Sequence, residues 1–409
     1  MIQQAGLNNE KIQQSNRSLV LDMIIRHYCI SRKELVDITG LKKPTITNIV
    51  NEFLGCGIVT ECEKHKTNGE RKTKGLVLRD VSAKIISARW MRSCFKVNLY
   101  NLSGIVIDAE ESNISADVSI ERTTVQILET LNKLIGRHSK EHILGMCIGI
   151  PGPYLRNAHS TKAIVVGYEN LQQLDIQKFF EDNFDFPVIT EHDSHLSALA
   201  EWRYLSKEEQ SKCRCFLALQ SIGIGIGAGV ILDGKIVEGA FGIAGEIGHI
   251  GVNFNGMKNV YGERGTLEYY ASSESVRQYV RERLNDYPTS NLSAHSTYQE
   301  ILQAYYDRDP LATWAFDLLA WRLAYGLLST FFILNPNKIV IGSDYPASEE
   351  FVNKIRFAIK TMVHSEISSR MDIRYSEIDD DTTLLGGYYF ILEDFSEKKI
   401  LYEMIKKAI

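Results

Sequence analysis

The sequence lacks the cysteine pattern of a secreted, disulfide-bonded protein. Its seven cysteines are scattered and odd in number, which favours reduced thiols inside a cell over a framework of bridges. Residues 1–16 are polar and lack the apolar core of a signal peptide, so export is not expected. The longest apolar stretch, 315–334, contains Asp317 and Arg322 and therefore predicts a buried helix rather than a membrane span. We expect a cytoplasmic protein without membrane contact.

The composition also shows neither a strong excess of charge nor a shortage of apolar residues. There are 46 Lys and Arg residues against 51 Asp and Glu, with 44% hydrophobic and 24% charged residues. This balance excludes a wholly disordered chain, a collagen-like chain and a basic tail that covers the whole sequence. A length of 409 residues predicts two or three domains.

Charge is distributed unevenly along the chain. The first 80 residues contain thirteen Lys and Arg and nine Asp and Glu, a net charge of +4, so the remainder carries −9. This asymmetry is typical of a part that meets phosphates joined to a larger part that does not. A charge of +4 over this length is also found on ordinary solvated surfaces. Charge alone therefore does not distinguish a DNA-binding segment from such a surface, and the pattern of residues is needed.

Two short helices joined by a tight turn are predicted within residues 31–54. Ser31 and Glu34 have capping-box spacing, Gly40 is a stop signal, and Pro44 is placed to begin the second helix. Apolar residues recur at helical spacing in that second helix and leave short polar side chains facing outward. We predict that this outward face contacts the major groove of DNA through Lys43, Thr45, Thr47, Asn48 and Asn51.

A β-hairpin with a basic loop is predicted directly after these helices. Strands at 58–62 and 76–79 flank a loop in which Arg71 and Lys72 are candidates for contact with the phosphate backbone. The alternative interpretation is a three-helix protein-interaction module with a charged loop. DNA binding should weaken steeply with salt, whereas a packed helical interface should be less sensitive.

Strand and helix patterns alternate after residue 80 and predict α/β architecture. The strands are expected at 85–90, 95–100, 143–150, 188–190, 215–219 and 228–232, and the helices at 123–135, 194–205 and 311–334.

Three stretches of this larger part carry residues suited to chemistry. Asp193 follows a predicted strand, where it could accept a proton or a sugar hydrogen bond, or equally cap the next helix. The glycines of 221–229 suit a close approach of the backbone to a ligand, but the P-loop Lys is missing and a structural role is the default. Glu246 and His249 lie among glycines in an apolar stretch, where charged groups need a partner or a ligand.

Read in order, several stretches resemble the ROK family (repressors, open reading frames and sugar kinases). The segments SRKELVDITGLKKPTITNIVNEFLGCGIV and GERKTKGLVL resemble the winged helix-turn-helix of its repressor branch. The ROK domain of the family is resembled by GIPGP, EHDSHLSALAE, GIGAG, AGEIGH, GERGTLE and NPNKIVIG.

The resemblance implies an N-terminal winged helix-turn-helix followed by a two-lobed actin-like (ribonuclease H-like) ATPase/sugar-kinase fold of the α/β class. The implied domains are the DNA-binding domain at 1–80, a first lobe at 81–192 completed by 380–409, and a second lobe at 193–379 with the sugar cleft and the oligomerisation surface.

A monosaccharide site is also implied by the resemblance. The positions that match sugar-contacting residues are Asn170, His192, Asp193, Glu246, His249 and Glu268, and Asp193 matches the catalytic base of the kinases. Kinases of the family carry an Asp-x-Gly-Gly-Thr turn for the ATP phosphates, whereas this chain has Arg-Trp-Met-Arg-Ser at 89–93. Phosphoryl transfer depends on positioning and charge neutralisation at the phosphates, so we expect neither ATP binding nor kinase activity, and no catalytic residue.

The zinc motif of the family is broken as well. Its three Cys positions hold Asn259, Tyr261 and Thr266, and His249 alone remains of the usual ligands, so no zinc or other cofactor is expected. Cys213 and Cys215 are interpreted as buried thiols rather than as substitute ligands.

Together these features predict a sugar-responsive transcriptional regulator, a repressor of carbohydrate-utilisation genes whose partners are operator DNA and a monosaccharide effector. Two half-sites about 34–36 Å apart would require a homodimer or a dimer of dimers. Closure of the lobes on the sugar would move the paired DNA-binding domains out of register. The alternatives are a ROK-type sugar kinase with a DNA-binding domain, and a regulator controlled by a phosphorylated metabolite or a protein partner.

Overall fold

The structure, a computed structural model, describes residues 9–27, 29–64, 73–79, 82–114, 118–152, 154–157, 160–163, 169–222, 224–259 and 262–409. Its helices are α1 (Asn9–His27), α2 (Arg32–Thr39), α3 (Lys43–Gly55), α4 (Ile120–Gly136), α5 (Glu169–Gln172), α6 (Ile176–Glu181), α7 (Asp193–Tyr204), α8 (Lys207–Lys212), α9 (Leu267–Ala271), α10 (Ser273–Arg283), α11 (Tyr298–Tyr306), α12 (Pro310–Leu334), α13 (Glu349–Met362), α14 (Ser365–Ser368), α15 (Thr382–Glu397) and α16 (Leu401–Lys407).

The strands are β1 (Val59–Lys64), β2 (Thr73–Leu78), β3 (Lys84–Trp90), β4 (Cys94–Asn101), β5 (Val106–Asn113), β6 (Ile143–Ile150), β7 (Tyr154–Asn157), β8 (Ser160–Ala163), β9 (Val188–His192), β10 (Cys215–Ile222), β11 (Gly225–Leu232), β12 (Lys235–Ile236), β13 (Lys338–Ser343) and β14 (Asp372–Tyr375). Three short 3-10 helices occur at Lys140–His142, Ile247–His249 and Leu284–Asp286.

The chain forms two compact units. The first consists of Met1–Gly149, Gln177–Thr190 and Gly387–Ile409, and the second of Ile150–Ile176 and Glu191–Gly386. This division differs from the three predicted domains, because the N-terminal helices share a unit with the first sheet and because Ile150–Ile176 belongs to the second unit.

The helix-turn-helix forms as the cap signals predict. Ser31 caps α2, and Ser31 and Glu34 form a reciprocal capping box. The helix ends at Gly40, whose backbone N–H donates to the carbonyl of Val36. Pro44 lies in the first turn of α3, which buries Ile46, Ile49, Val50 and Phe53 on one face. The predicted hairpin follows as β1 and β2, which pair antiparallel from Val59 and Leu78.

The first unit contains a five-stranded sheet in the order β5-β4-β3-β6-β9. Strand β3 pairs antiparallel with β4 and parallel with β6. All eight residues of β6 are buried, which agrees with its continuous apolar sequence and explains why periodicity alone does not show which face is inward.

The second unit repeats this pattern in a sheet of the order β12-β11-β10-β13-β14. Strand β10 pairs antiparallel with β11 and parallel with β13. The core beneath this sheet is dominated by α12, on which Leu319, Leu323 and Leu327 are fully buried. Among the described residues α12 is the one helix long and apolar enough to cross a membrane, and half of its most apolar window is buried inside the protein.

Candidate functional site

The outward face of α3 presents the residues predicted to contact DNA. Lys43, Asn48 and Asn51 are exposed, and Thr45 and Thr47 are half-buried. The hydroxyl of Thr47 donates to the carbonyl of Lys43 at 2.9 Å, one turn earlier. The two basic wing residues predicted with them, Arg71 and Lys72, lie outside the described residues.

Helix α16 packs against this DNA-binding part. The ring of Tyr402 stacks on Phe53 of α3 with centroids 5.2 Å apart, and its hydroxyl donates to Oε1 of Glu52 at 2.7 Å. Nε of Arg17 on α1 donates to the same carboxylate at 2.8 Å. Burial opposes the charge of Glu52, but these hydrogen bonds hold its pKa below the ordinary value. The buried face of the recognition helix is therefore completed by a side chain far along the sequence.

A buried polar cluster in the second unit centres on Glu191, which is fully buried. Its Oε1 accepts from the hydroxyl of Tyr154 at 2.6 Å and from the backbone N–H of His192 at 2.8 Å. The same oxygen lies 3.1 Å from Nδ1 of His195, and Nε2 of His195 donates to the carbonyl of Ala244 at 3.0 Å. Glu191 and His195 thus tie β9 and α7 to the loop that carries Glu246.

His192 and Glu246 form a close charged pair above this cluster. Nε2 of His192 lies 2.8 Å from Oε1 of Glu246, and Nδ1 lies 3.2 Å from Oδ1 of Asp193. Burial opposes the charge of the imidazole, but Glu246 and then Asp193 outweigh it and raise the pKa of His192 to about 10. A protonated ring cannot accept from the backbone N–H of Ser194, so Nδ1 donates to Ser194 Oγ at 2.6 Å or to Asp193.

Asp193 is the first residue of α7 and is 8% exposed. The alternative in which Asp193 caps this helix is wrong, because the N-cap position is held by His192. The carboxylate of Asp193 instead lies beside His192, with Oδ1 at 3.2 Å from Nδ1 of the ring.

His249 and Glu268 are held by a second polar network. Nδ1 of His249 lies 2.6 Å from Oε2 of Glu263, and Nδ2 of Asn259 donates to Glu268 at 2.8 Å and to Glu263 at 3.1 Å. Burial opposes the charge of His249, but the hydrogen bond to Glu263 and neighbouring carboxylates raise its pKa. Burial also raises the pKa of Glu268, against the effects of His249 and Asn259. Glu246 acts electrostatically on both groups and pairs with His192, so the five predicted residues from His192 to Glu268 share one region.

The residues at the family's zinc positions do not fit zinc. Asn259 occupies the first Cys position and Thr266 the third. Nδ2 of Asn259 donates to Oγ1 of Thr266 at 3.2 Å, so the residues at these two positions are hydrogen-bonded to each other. Tyr261 lies outside the described residues. Across the described ranges, no group of three or more His, Cys, Asp or Glu side chains is placed to hold a metal ion. Hydrogen bonds through Asn259 hold this loop in place of metal ligands.

The turn between β3 and β4 lies where, by the resemblance, kinases of the family carry their motif for the ATP phosphates. Here β3 runs to Trp90 and β4 starts at Cys94, and the backbone N–H of Met91 donates to the carbonyl of Cys94 at 2.9 Å. The turn residues Met91, Arg92 and Ser93 supply neither a carboxylate for magnesium nor a glycine.

Two glycines allow the site to pack so closely. A Cβ on Gly152, in the GIPGP stretch, would collide with Nε2 of His192 and Oε1 of Glu246. Gly245 has a φ of +93°, and a Cβ there would collide with the carbonyl of Ala228. The conformation of the loop before Glu246 therefore depends on glycine.

A cavity of about 270 Å³ lies beside Glu268, lined also by Ile224, Asn259, Ser272 and Gln278. Asn170 lies in α5, and its side chain is outside the described residues. Sequence reasoning did not list Tyr154, Glu191 and His195 among the site residues, although Glu191 and His195 belong to the EHDSHLSALAE stretch. The only available signal for them was position, since Glu191 and His195 flank the predicted residues His192 and Asp193.

Residues 100–394 match the family model described as ROK family. The chain belongs to the ROK family. The xylose repressor of Caldicellulosiruptor bescii is 26% identical over 395 residues, which cover 95% of this chain and 98% of that protein.

Two solved ROK structures share the fold. A ROK family transcriptional regulator, a homolog of the E. coli MLC protein, has a TM-score of 0.79 at 22% identity and covers 97% of this chain and 100% of its own. A ROK family glucokinase from Streptomyces griseus, in complex with glucose and AMPPNP, has a TM-score of 0.65 at 20% identity and covers 75% of this chain and 99% of its own. The predicted fold class, a winged helix-turn-helix followed by a two-lobed actin-like fold, is confirmed.

Proposed function

We propose that this protein is a sugar-responsive transcriptional repressor of carbohydrate-utilisation genes that binds a monosaccharide without phosphorylating it. The observation that carries the proposal is the presence, in one chain, of an exposed polar recognition helix and a buried cluster of carboxylates and imidazoles. The similarity to the xylose repressor over 95% of the chain supports the same function.

The chemistry of the buried cluster suits a polyhydroxylated ligand. The carboxylates of Asp193, Glu246 and Glu268 accept hydrogen bonds from sugar hydroxyl groups, and His249 provides a donor. Each carboxylate oxygen can accept more than one hydrogen bond, so a ligand with several hydroxyl groups can donate to several of these side chains at once. The proposed ligand is therefore a neutral monosaccharide.

The proposal assigns no catalytic function and no metal or nucleotide cofactor. It rests on the β3–β4 turn without carboxylate or glycine, and on the hydrogen-bonded residues at the zinc positions. The partners proposed are operator DNA and the sugar, and the assembly is a homodimer or a dimer of dimers, because paired half-sites require two recognition helices. The proposed location is the cytoplasm, where operator DNA is accessible.

The contact between α16 and α3 provides a route for communication. Tyr402 belongs to the same unit as the first sheet and touches Phe53 and Glu52 on the recognition helix. A shift of α16 by a bound effector would alter the support of α3. A coupling of about 1–3 kcal/mol would change operator affinity roughly 5- to 150-fold.

The test begins with selection of an operator from random DNA by the purified full-length protein. A thermal-shift panel of monosaccharides then identifies the effector, since a ligand at 100 times its Kd adds about 2.7 kcal/mol of stability. Operator affinity is finally measured with and without that sugar. We expect the sugar to weaken operator binding, and expect Asp193→Ala and Glu246→Ala to abolish its effect while Glu208→Ala, on an exposed helix, retains it. Equal operator affinity with and without the stabilising sugar would contradict the proposal.

One alternative, a sugar kinase with a DNA-binding domain, is favoured by the presence of Asp193 at the kinase base position and by the glucokinase likeness. Stabilisation by magnesium-ATP together with ATP consumption in the presence of a sugar would favour the kinase. Normal sugar response by both site variants would favour the other alternative, control by a phosphorylated metabolite or a protein partner.

A further inference from the structure

Two cysteines of the DNA-binding part lie in contact. The Sγ atoms of Cys29 and Cys62 are 3.0 Å apart, and both residues are half-buried thiols outside any disulfide. A disulfide bond requires a sulfur separation of about 2.05 Å, so the two sulfurs would have to approach each other by about 1 Å. Cys56, in the same part of the chain, is exposed and serves as an internal comparison.

The backbone places both cysteines against the same stretch of β2. Ile30, next to Cys29, exchanges two backbone hydrogen bonds with Leu76, at 3.1 and 2.8 Å. Cys62 on β1 pairs with Gly75, the residue before Leu76. Gly75 has no side chain to keep the two thiols apart. Backbone hydrogen bonds between Ile30 and Leu76 and the pairing of Cys62 with Gly75 therefore hold the two sulfurs close together even when no disulfide is present.

We propose that Cys29 and Cys62 form a reversible disulfide, a covalent modification site for a peroxide oxidant. One thiolate attacks the peroxide O–O bond and becomes a sulfenic acid as hydroxide leaves, and the second thiol displaces water to form the S–S bond. In total, two thiols and one hydrogen peroxide give one disulfide and two waters. A small dithiol reduces the protein disulfide back to two thiols and is itself oxidised to a disulfide.

The bridge would enclose the whole helix-turn-helix. The two cysteines are 33 residues apart, and α2 and α3 both lie between them. Cys29 precedes the first of these helices and Cys62 lies in the first strand of the wing, so the bond would join the segment before the helix-turn-helix to the wing. Closing such a loop constrains the unfolded chain and stabilises the folded domain. The proposal uses only the DNA-binding part and does not depend on the sugar response.

The experiment uses the full-length protein, the Cys56→Ser variant, and the Cys29→Ala and Cys62→Ala variants. Each is treated with hydrogen peroxide at low protein concentration, blocked with an alkylating agent, digested without reductant and mapped by mass spectrometry. We expect a peptide pair linked through Cys29 and Cys62 in the wild type and in Cys56→Ser. The first thermal transition of these two proteins should rise by about 5 °C or more on oxidation and return after dithiothreitol.

The single alanine variants should show no such rise, since neither retains the pair. The wild-type peptide map alone decides the proposal if either variant fails to fold. The proposal is overturned if Cys29 and Cys62 both remain alkylated after peroxide treatment, if either accumulates as a sulfonic acid instead of the linked pair, or if oxidation yields only dimers that require Cys56.

Discussion

Two sets of carboxylates, one in each unit, lie in opposite environments. In the first unit, carboxylates pair with cations close to solvent, as Asp108 does with Arg137 at 2.8 Å, and the hydrogen bond from Arg137 lowers the pKa of Asp108 to about 2. In the buried cluster of the second unit, Glu268 lies near His249 and other carboxylates, and burial raises its pKa. Burial also raises the pKa of Glu201, elsewhere in that unit, to about 7.

The difference in burial distinguishes ion pairs that are satisfied at the surface from buried polar groups to which a ligand could bind. A surface pair is satisfied by its partner and by water, and contributes little to stability. A buried polar group costs free energy unless it is paired, so a protein that holds several in one region gains from a ligand that completes their hydrogen bonds. The proposed ligand site is therefore built on buried groups of the second unit, whereas a surface pair such as Asp108 and Arg137 is satisfied without a ligand.

The largest expected effect comes from removing the centre of the buried cluster. Glu191→Ala leaves the hydroxyl of Tyr154, the backbone N–H of His192 and the ring of His195 without their shared acceptor. We expect a loss of about 3–5 kcal/mol in the free energy of unfolding, measured with urea. Glu191→Gln keeps an acceptor oxygen and should lose less. A loss below 1 kcal/mol in Glu191→Ala would remove the contrast between the units.

A pH-dependent effect is expected at Glu201. Its pKa is about 7 in the folded protein against 4.5 ordinarily, because burial favours the neutral form. The folded state therefore holds the proton more tightly, and stability falls as the pH rises from about 4.5 through 7. Glu201→Gln should add on the order of 2–3 kcal/mol at pH 8 and almost nothing at pH 4.5, measured by urea unfolding at both values. Glu208→Gln, at an exposed position, should change the free energy of unfolding by no more than about 0.5 kcal/mol at either pH. An equal gain in stability at pH 8 in both variants would argue against burial as the cause.

On the DNA-binding face, the prediction distinguishes base contact from phosphate contact. Asn48→Ala should weaken binding to the selected operator by about 1–3 kcal/mol and relax its sequence preference. Lys43→Ala should instead weaken binding to all sequences and reduce the slope of log Kd against log salt by about one. Filter binding over a salt series separates the two, and identical behaviour of the variants would exclude the assigned roles.

The smallest effect is expected at a surface pair of the first unit. Glu61 accepts from Lys74 at 2.7 Å and from Arg32 at 2.8 Å, and these hydrogen bonds lower the pKa of Glu61. Glu61→Gln should cost no more than about 1 kcal/mol above pH 5, because solvent screens the pair. The cost should disappear as the pH falls below the ordinary carboxyl range, where the wild-type group is protonated too. Urea unfolding at pH 7 and pH 3 measures the cost and its loss at low pH. A cost as large as that of Glu191→Ala would contradict the distinction between exposed and buried carboxylates.

Sequence reasoning predicted best where the determinants are local. The capping box at Ser31 and Glu34, the stop at Gly40 and the apolar spacing of α3 lie within a few residues, and each appears in the structure. The alternation of strands and helices likewise predicted the α/β class. The strand edges moved by one to three residues, since β1 and β2 extend into the basic loop.

The sequence did not predict what depends on distant contacts. Tyr402 beneath the recognition helix lies 350 residues from Glu52, and no spacing rule connects them. The placement of His192 at the N-cap position of α7 was missed because Asp is the commoner residue there. Resemblance identified His249 and Glu268 but not Asn259 and Glu263, whose hydrogen bonds hold them, since these partners differ from the family's zinc ligands.

The packing of Tyr402 on Phe53 also sets an order of events during synthesis of the chain. The recognition helix emerges from the ribosome early, but its packing partner follows 350 residues later, after both sheets. At roughly 5–20 residues per second, the interval is about 20–70 s. Over that interval the nascent chain has a DNA reader without its full support. The recognition helix is therefore fully packed only after the part of the chain that contains the proposed sugar site has been synthesised.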